Sequence, residues 1–143
     1  MEYLEWNQQR AEIIINKMML ANDAFSKWLG INIEEISEDN IRLSLVITPE
    51  MSNGFGIAHG GIVYSLSDSA LAFASNAYGR QALSIESSIS HLKPLKIGEK
   101  VYVNSIKLHI GRTLGHFEVL SYNQIDQLVG IFKGTVFYNG QNW

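Results

Sequence analysis

The feature that most constrains the fold is a long apolar segment, residues 62–78, that contains a single charged side chain. Between Glu50 and Arg80 the only formally charged residue is Asp68. The segment is rich in Ala, Leu, Ile, Val, Phe and Tyr, which predicts a helix that other elements must enclose on most sides. Burying an ionised carboxylate is costly unless it is hydrogen-bonded or takes part in chemistry. Asp68 is therefore either a functional carboxylate or a structural residue that caps a neighbouring turn.

Strand patterns flank this helix on both sides. Apolar residues alternate with other side chains over residues 41–48, as in a half-buried strand, and residues 31–36 are its predicted hairpin partner. After the helix, which we place at residues 59–78, four strand patterns follow, over residues 82–92, 100–110, 114–123 and 128–138. The predicted fold is α+β, with one strongly curved antiparallel sheet wrapped around one long buried helix. Between Val103 and Ile106 the apolar positions change phase, which predicts a bulge or strong coil.

Length and composition limit the class of protein. The 143 residues suit one compact domain, and contents of 46% apolar and 17% charged residues argue against a disordered chain. A net charge of −3 gives no electrostatic basis for binding nucleic acid or an anionic membrane. The lack of cysteine excludes disulfides, zinc–thiolate sites and thiol nucleophiles. No apolar run reaches ~18 residues and the N-terminus lacks a basic leader, so we expect a cytoplasmic protein.

The N-terminal segment, residues 1–29, is predicted to be helical and to pack on the domain. Apolar residues favour one side of residues 2–20, and a second short helix is predicted over residues 22–28, ended by Gly30. A sheet face or edge would still need covering, which favours a homo-oligomer.

A glycine-rich motif, Asn53-Gly54-x-Gly56-x-x-His59-Gly60-Gly61, opens the buried helix. Glycines at a helix start let a ligand approach the backbone closely, and the first turn offers unpaired N–H donors that can stabilise an oxyanion. Close packing of the loop against a sheet is the structural alternative. A dinucleotide-binding fingerprint is rejected, because His59 occupies its third glycine position and no parallel strand–helix–strand series follows.

The spacing of Gly60 and Asp68 links any chemistry to assembly. The two residues are eight positions apart, so on one helix their backbones are separated by roughly 12 Å along the axis. One reacting carbonyl cannot contact both. If the motif is catalytic, the Gly60 amide of one subunit must meet Asp68 of another.

The remaining polar residues carry weaker indications. His91, His109 and His116 lie on predicted strands or a hairpin without the spacing of metal ligands, so no metal site is predicted. We interpret His59 as a residue that bonds the loop at the helix start, with a general base as the alternative. Arg112, in the predicted turn Gly-Arg-Thr, either contacts a phosphate or is simply solvated.

These motifs together resemble a known family. The run Asn53-Gly-x-x-x-x-His-Gly-Gly, followed by Leu66-Ser-Asp-Ser-Ala-Leu-Ala-Phe-Ala-Ser-Asn76, is similar to the hot dog-fold thioesterases of the phenylacetate-degradation (PaaI) type. The likeness extends over residues 22–31, 88–94, 111–113 and 130–135, which leaves out little more than the first twenty residues. The spacing from His-Gly-Gly to Asp is the specific element of this resemblance. The strand motifs support the resemblance but are not specific to the family.

The resemblance implies a coenzyme A thioester as substrate, phenylacetyl-like aryl-acyl groups as candidates for the acyl part, and a role for each motif. Asp68 matches the family's catalytic carboxylate, which acts as nucleophile or as base toward water. Gly60 matches the residue whose amide polarises the thioester carbonyl, and Asn53 matches a residue that orients the attack. Ser84 matches a position where some relatives carry a water-orienting Ser or Thr. His59 completes the implied catalytic set. The implied substrate-binding residues are Gly61, His91, Lys93, Arg112 and Thr113.

The resemblance also implies that no cofactor is needed beyond the CoA of the substrate. We expect a homodimer with shared sites, assembled as a dimer of dimers. Two features depart from the family pattern. His91 stands where an aromatic or apolar residue is common, so the acyl or pantetheine pocket is expected to differ. The helical N-terminal extension is expected to cover a surface or to alter the assembly.

Two other functions fit the same fold. One is a non-catalytic acyl-CoA sensor, but such regulators carry a DNA-binding module for which about thirty N-terminal residues with few basic ones are too little. The other is a dehydratase of 3-hydroxyacyl thioesters with His59 as base. It needs a partner acid, and the position of Asp68 fits the thioesterase pattern better.

Overall fold

The computed structural model describes residues 5–143 and contains three α-helices and six strands. The helices are α1 (Gln8–Ile13), α2 (Ala24–Leu29) and α3 (Gly60–Asn76). The helix begun by α1 continues as a π-helical turn, Ile14–Met19, and a 3₁₀ turn, Leu20–Asn22. A further 3₁₀ turn, Pro49–Met51, lies in the loop before α3. None of the described helices is both long enough and apolar enough to cross a membrane.

All six strands form one antiparallel sheet in the order β1-β2-β4-β5-β6-β3. The strands are β1 (Asn32–Ile36), β2 (Ile41–Val46), β3 (Arg80–His91), β4 (Lys100–Ile110), β5 (Leu114–Asn123) and β6 (Leu128–Asn142). The long helix α3 packs against the sheet, so the predicted hot dog architecture is confirmed.

The apolar residues of α3 form the centre of the core. Leu66, Ala70, Leu71 and Phe73 are fully or almost fully buried and pack with inward-facing residues of the sheet. Gly134 of β6 lies directly beneath this helix, since a Cβ added there would be only 2.4 Å from Cδ2 of Leu71. The missing side chain lets the sheet approach the helix closely, and α3 is thereby held at a fixed depth.

The N-terminal helix differs from its predicted bounds. We predicted a helix over residues 2–20, but residues 2–4 lie outside the described residues and α1 begins only at Gln8. The reason is local: the Asn7 side chain accepts a hydrogen bond from the backbone N–H of Arg10 and thereby caps the helix. The second helix is close to its prediction, since Gly30 ends it in the left-handed conformation with φ 76°.

The bulge predicted in β4 exists, but at a different position. Its register with β5 shifts between Lys107 and His109, beyond the phase change predicted between Val103 and Ile106. The apolar pattern changes phase because Ile106 and Leu108 face outward, where they are 37% and 56% exposed. The predicted bulge is therefore confirmed, although it lies a few residues beyond the phase change.

The strand β3 forms one edge of the sheet. One side of it pairs with β6, and no other described strand pairs with its second side. Leu83 and Ile85 on this strand are 67% and 60% exposed. Such a long edge with apolar side chains is the kind that proteins cover or pair.

Candidate functional site

The loop before α3 ends in a tight helix start built around His59. The side chain of His59 caps the helix, since its Nδ1 accepts the backbone N–H of Gly61 at 2.9 Å. Its carbonyl oxygen accepts the N–H of Ile62 at 2.9 Å, and its own N–H donates to the carbonyl of Met51. In the described chain, the N–H of Gly60 has no such partner at this helix start. His59 thus bonds the loop, as interpreted, and Gly60 keeps a free donor.

Asn53 shapes the same loop. Its Oδ1 accepts the backbone N–H groups of Phe55 at 2.9 Å and Ile57 at 3.4 Å, and its carbonyl accepts the N–H of Gly56. Gly56 adopts φ 77°, which side-chain-bearing residues rarely do. The Asn53 oxygen is therefore used in loop structure, and the Nδ2 group is the part of its side chain left for a ligand.

A cavity of 280 Å³ opens at this helix start, and we call it the loop cavity. It brings together five of the predicted site residues, namely Asn53, His59, Gly60, His91 and Lys93. The imidazole of His91 stands directly over Gly60, because a Cβ at position 60 would lie 3.0 Å from its Nε2. Apolar residues, among them Val63, Leu95 and Val129, line the rest of it.

Asp68 lies on a second cavity of 200 Å³ between α2 and α3, which we call the carboxylate cavity. Burial, and secondarily the negative charge of Asp23, raise the pKa of the Asp68 carboxyl above its usual range. Within the described chain this carboxylate accepts no hydrogen bond, so it does not cap a neighbouring turn. The structural interpretation of Asp68 therefore fails, and a partly buried, unpaired carboxylate remains.

Asp23 is the site residue that sequence reasoning missed. It caps α2 by accepting the backbone N–H of Ser26 at 2.9 Å, and it also accepts the Ser26 hydroxyl. The Ser26 Oγ lies 2.9 Å from the Oγ of Ser69, the residue next to Asp68 on α3. The pattern Asp-x-x-Ser could have predicted the cap, but only the packing of α2 on α3 places Asp23 in the carboxylate cavity.

Several predicted residues lie away from both cavities. Ser84 is exposed on the edge strand β3, and Arg112 and Thr113 are exposed in the turn between β4 and β5. Gly60 and Asp68 lie on different cavities of the chain, as their spacing on α3 predicts. Residues 5–143 contain no cluster of three or more His, Asp or Glu side chains that could hold a metal ion.

Comparison with known proteins places this site in a family. The family model described as the thioesterase superfamily matches residues 55–129, a range that contains the helix start, Asp68 and His91. The fold and the site together define a hot dog-fold thioester hydrolase, and this chain belongs to the thioesterase superfamily.

Comparisons with individual proteins show which type of thioesterase this chain resembles. The chain is 33% identical over 116 residues to the Escherichia coli acyl-coenzyme A thioesterase PaaI, covering 81% of this chain and 83% of the relative. The structure of E. coli PaaI, from the phenylacetic acid degradation operon, matches with a TM-score of 0.90 at 30% identity, over 94% of this chain and 97% of that one. A Streptococcus mutans protein bound to acetyl-CoA matches with a TM-score of 0.76 at 26% identity, over 79% and 91% of the two chains. The protein is a hot dog thioesterase of the PaaI type.

Proposed function

We propose that this thioesterase hydrolyses acyl-coenzyme A thioesters to the free acid and coenzyme A, with Asp68 as its catalytic carboxylate. The observation that carries the proposal is that the Asp68 carboxylate lies at a cavity without a hydrogen-bond partner among the described residues. It is the one charged residue of α3, it lines a cavity, and it has no hydrogen-bond partner in the described chain. A carboxylate kept unpaired at a cavity is free to react.

The proposed reaction uses the helix start to hold the thioester. The free N–H of Gly60, at the positive end of the α3 dipole, donates to the carbonyl oxygen and stabilises its developing negative charge. Asp68 either attacks the carbonyl carbon or takes a proton from the attacking water. The carbon–sulfur bond then breaks, and the sulfur leaves as the CoA thiolate, which takes up a proton. Where Asp68 itself has attacked, water then hydrolyses the acyl–aspartyl anhydride to the free acid and restores the carboxylate. Asn53 Nδ2 and Ser84 are proposed to orient the attack. No cofactor takes part in this scheme.

The proposed active site is shared between two subunits. Gly60 and Asp68 are roughly 12 Å apart along α3, so the Gly60 donor must meet the Asp68 carboxylate of a second chain. The unpaired edge of β3 and its exposed Leu83 and Ile85 support pairing of two copies about a two-fold axis. We propose a homodimer with two such sites, assembled further as a dimer of dimers.

The proposed acyl group is a compact aryl-acyl group such as phenylacetyl. Two aromatic side chains, Phe25 and Tyr64, line the carboxylate cavity beside Asp68. The similarity to E. coli PaaI, from the phenylacetic acid degradation operon, supports a role in phenylacetate degradation. We place the enzyme in the cytoplasm with its CoA thioester substrates, and neither nucleic acid nor a membrane has a part in the proposal.

The remaining predicted residues are assigned to the CoA portion of the substrate. Gly61, His91 and Lys93 lie at or beside the loop cavity, where the pantetheine arm would enter. Arg112 and Thr113, exposed in the turn after β4, are proposed to contact a CoA phosphate.

A panel of acyl-CoA substrates tests the proposed function. Thiol release is followed with a thiol-reactive dye, in parallel for wild type and for Asp68→Asn, which keeps the shape of the side chain and loses its charge. Release by wild type and its loss in the variant support the proposal. Binding of acyl-CoA without release of the thiol would indicate a sensor. Formation of an alkene from 3-hydroxyacyl-CoA would indicate a dehydratase. The dehydratase has less support, because His59 Nδ1 is already used to cap α3.

Complementation tests the shared site. Asp68→Ala removes the carboxylate, and Gly60→Pro removes the N–H at a helix position where proline is tolerated. Each variant alone should be inactive. In a co-refolded equal mixture, half of the dimers are mixed and have one intact site, so about a quarter of wild-type activity should return. Gly60→Ala, which adds a Cβ near His91 but keeps the N–H, is the control for distortion of the helix start. If this control is active, verified mixed dimers without activity would contradict the shared site.

A further inference from the structure

Arg80 is a buried arginine that reaches from the edge of the sheet to the turn between β4 and β5. It is the first residue of β3 and only 6% exposed. Its Nη1 donates to the carbonyl oxygen of Gly111 at 3.1 Å, and its Nη2 donates to the carbonyl oxygen of Arg112. The guanidinium lies over the ring of Tyr138, 3.9 Å from the ring centroid. Two carbonyl oxygens of one surface turn and an aromatic ring thus contact this buried charge.

The carbonyl oxygen of Thr113, the third residue of the turn, also accepts a hydrogen bond from the sheet. The oxygen of Thr113 accepts the backbone N–H of Tyr138 at 2.8 Å. The hydroxyl of Tyr138 donates in turn to the carbonyl of Ser75 on α3 at 3.2 Å. All three carbonyl oxygens of the turn, residues 111–113, are therefore held by groups that belong to the sheet behind it.

This arrangement controls the charge that the turn presents to solvent. A free carbonyl oxygen carries partial negative charge and repels an anion, whereas oxygens bonded to a guanidinium are turned inward and partly neutralised. The exposed side chain of Arg112 then projects from a turn whose backbone no longer opposes a phosphate. A lysine at position 80 would keep the charge but could not donate in a fixed fork to two neighbouring carbonyls.

We propose that Arg80 is a positioning residue for the CoA portion of the substrate: it fixes the turn 111–113 so that Arg112 can bind a CoA phosphate. This inference rests on the proposed function, which assigns Arg112 to that contact. It predicts that Arg80 affects only substrates that carry the phosphates, although it touches no substrate atom itself.

The test compares two thioesters of the same acyl group, one of CoA and one of N-acetylcysteamine, which lacks the phosphates. In Arg80→Lys, we expect KM for the CoA thioester to rise about tenfold with kcat nearly unchanged, as for the loss of one charge-assisted contact. The kcat/KM for the truncated thioester should stay within about twofold, because that substrate does not reach the turn. If the lysine variant does not fold, Arg80→Gln, which keeps a planar donor, is measured in the same way.

Arg112→Ala separates a failure of this inference from a failure of the proposed contact. If Arg112→Ala raises KM for the CoA thioester and the Arg80 variants do not, the inference is wrong and the phosphate contact stands. If neither affects it, the assignment of the turn to CoA is wrong, and the inference falls with it. Equal losses on both thioesters in the Arg80 variants would mean a merely structural role and would overturn the proposal. Added to Arg112→Ala, the Arg80→Lys change should raise KM little further.

Discussion

Replacing Gly134 by alanine is expected to destabilise the fold by pushing the sheet away from α3. The added Cβ would lie 2.4 Å from Cδ2 of Leu71 and 3.2 Å from Cε1 of Phe132. Both neighbours have 0% of their surface exposed, so neither can move into solvent to relieve the overlap. Overpacking of a closed core by one methyl group costs about 1–3 kcal/mol of unfolding free energy. For a chain of this size, that corresponds to a decrease in Tm of roughly 3–10 °C.

Thermal and denaturant unfolding measure this effect, and Gly54→Ala is the matched control. No atom lies within 4 Å of a Cβ at position 54, so the control should stay within about 0.5 kcal/mol of wild type. A second control uses Leu71→Ala, which alone should cost about 2–5 kcal/mol. Because the new methyl group would occupy part of that cavity, the double variant should cost clearly less than the sum of the two. Strict additivity, or a Gly134→Ala variant as stable as Gly54→Ala, would refute the close-packing argument.

Three further predictions concern the carboxylates. Asp68→Asn should lower kcat at least ~10²-fold with little change in KM, and near wild-type kcat in a steady-state assay would exclude the catalytic role. Burial, and secondarily Asp23, raise the folded pKa of Asp68 above its unfolded value of 3.8, so its protonation stabilises the fold. This stabilisation by protonation is fully present below pH 3.8 and is lost as pH rises through the folded pKa. At pH 7 the buried carboxylate is therefore destabilising, so Asp68→Asn should raise Tm at pH 7 but not at pH 3. Asp23→Asn keeps the cap of α2 and removes a negative charge that raises the pKa of Asp68, so the acid limb of kcat/KM should move to lower pH; an unmoved limb would show that this charge does not act on Asp68.

The central helix and its sheet could be predicted from the sequence because apolar patterning determines both. An apolar segment as long as α3 has no stable position except inside the sheet, and the alternation around it marks the strands. The start of α1 was predicted wrongly because apolar periodicity does not reveal a cap, which depends on the side chain of Asn7. The bulge in β4 was predicted, but its exact position could not be, since outward-facing Ile106 and Leu108 also change the apolar phase.

From residue spacing alone, the candidate site was predictable only where its residues are close in sequence, and the family resemblance added His91 and Lys93 to the same cavity. The motif from Asn53 to Gly60 folds locally, so its residues meet in one cavity. Asp23 and Arg80 were missed because their relevance arises from tertiary packing. Asp23 contacts α3 through Ser26 and Ser69. Arg80 reaches across the sheet to the turn after β4.

The order of strands in the sheet has a consequence for how the chain reaches its folded state. The edge strand β3 follows α3 directly in sequence, yet its partner is β6, the last of the six described strands. During synthesis, β3 must therefore wait unpaired until β6 has left the ribosome. Trp143 then ties the end of β6 to the segment between α3 and β3, since it donates from Nε1 to Asn76 Oδ1 at 2.8 Å and from its backbone N–H to the carbonyl oxygen of Gly79. Such non-local pairing makes folding slow and leaves nascent chains open to aggregation until β6 is available to pair with β3.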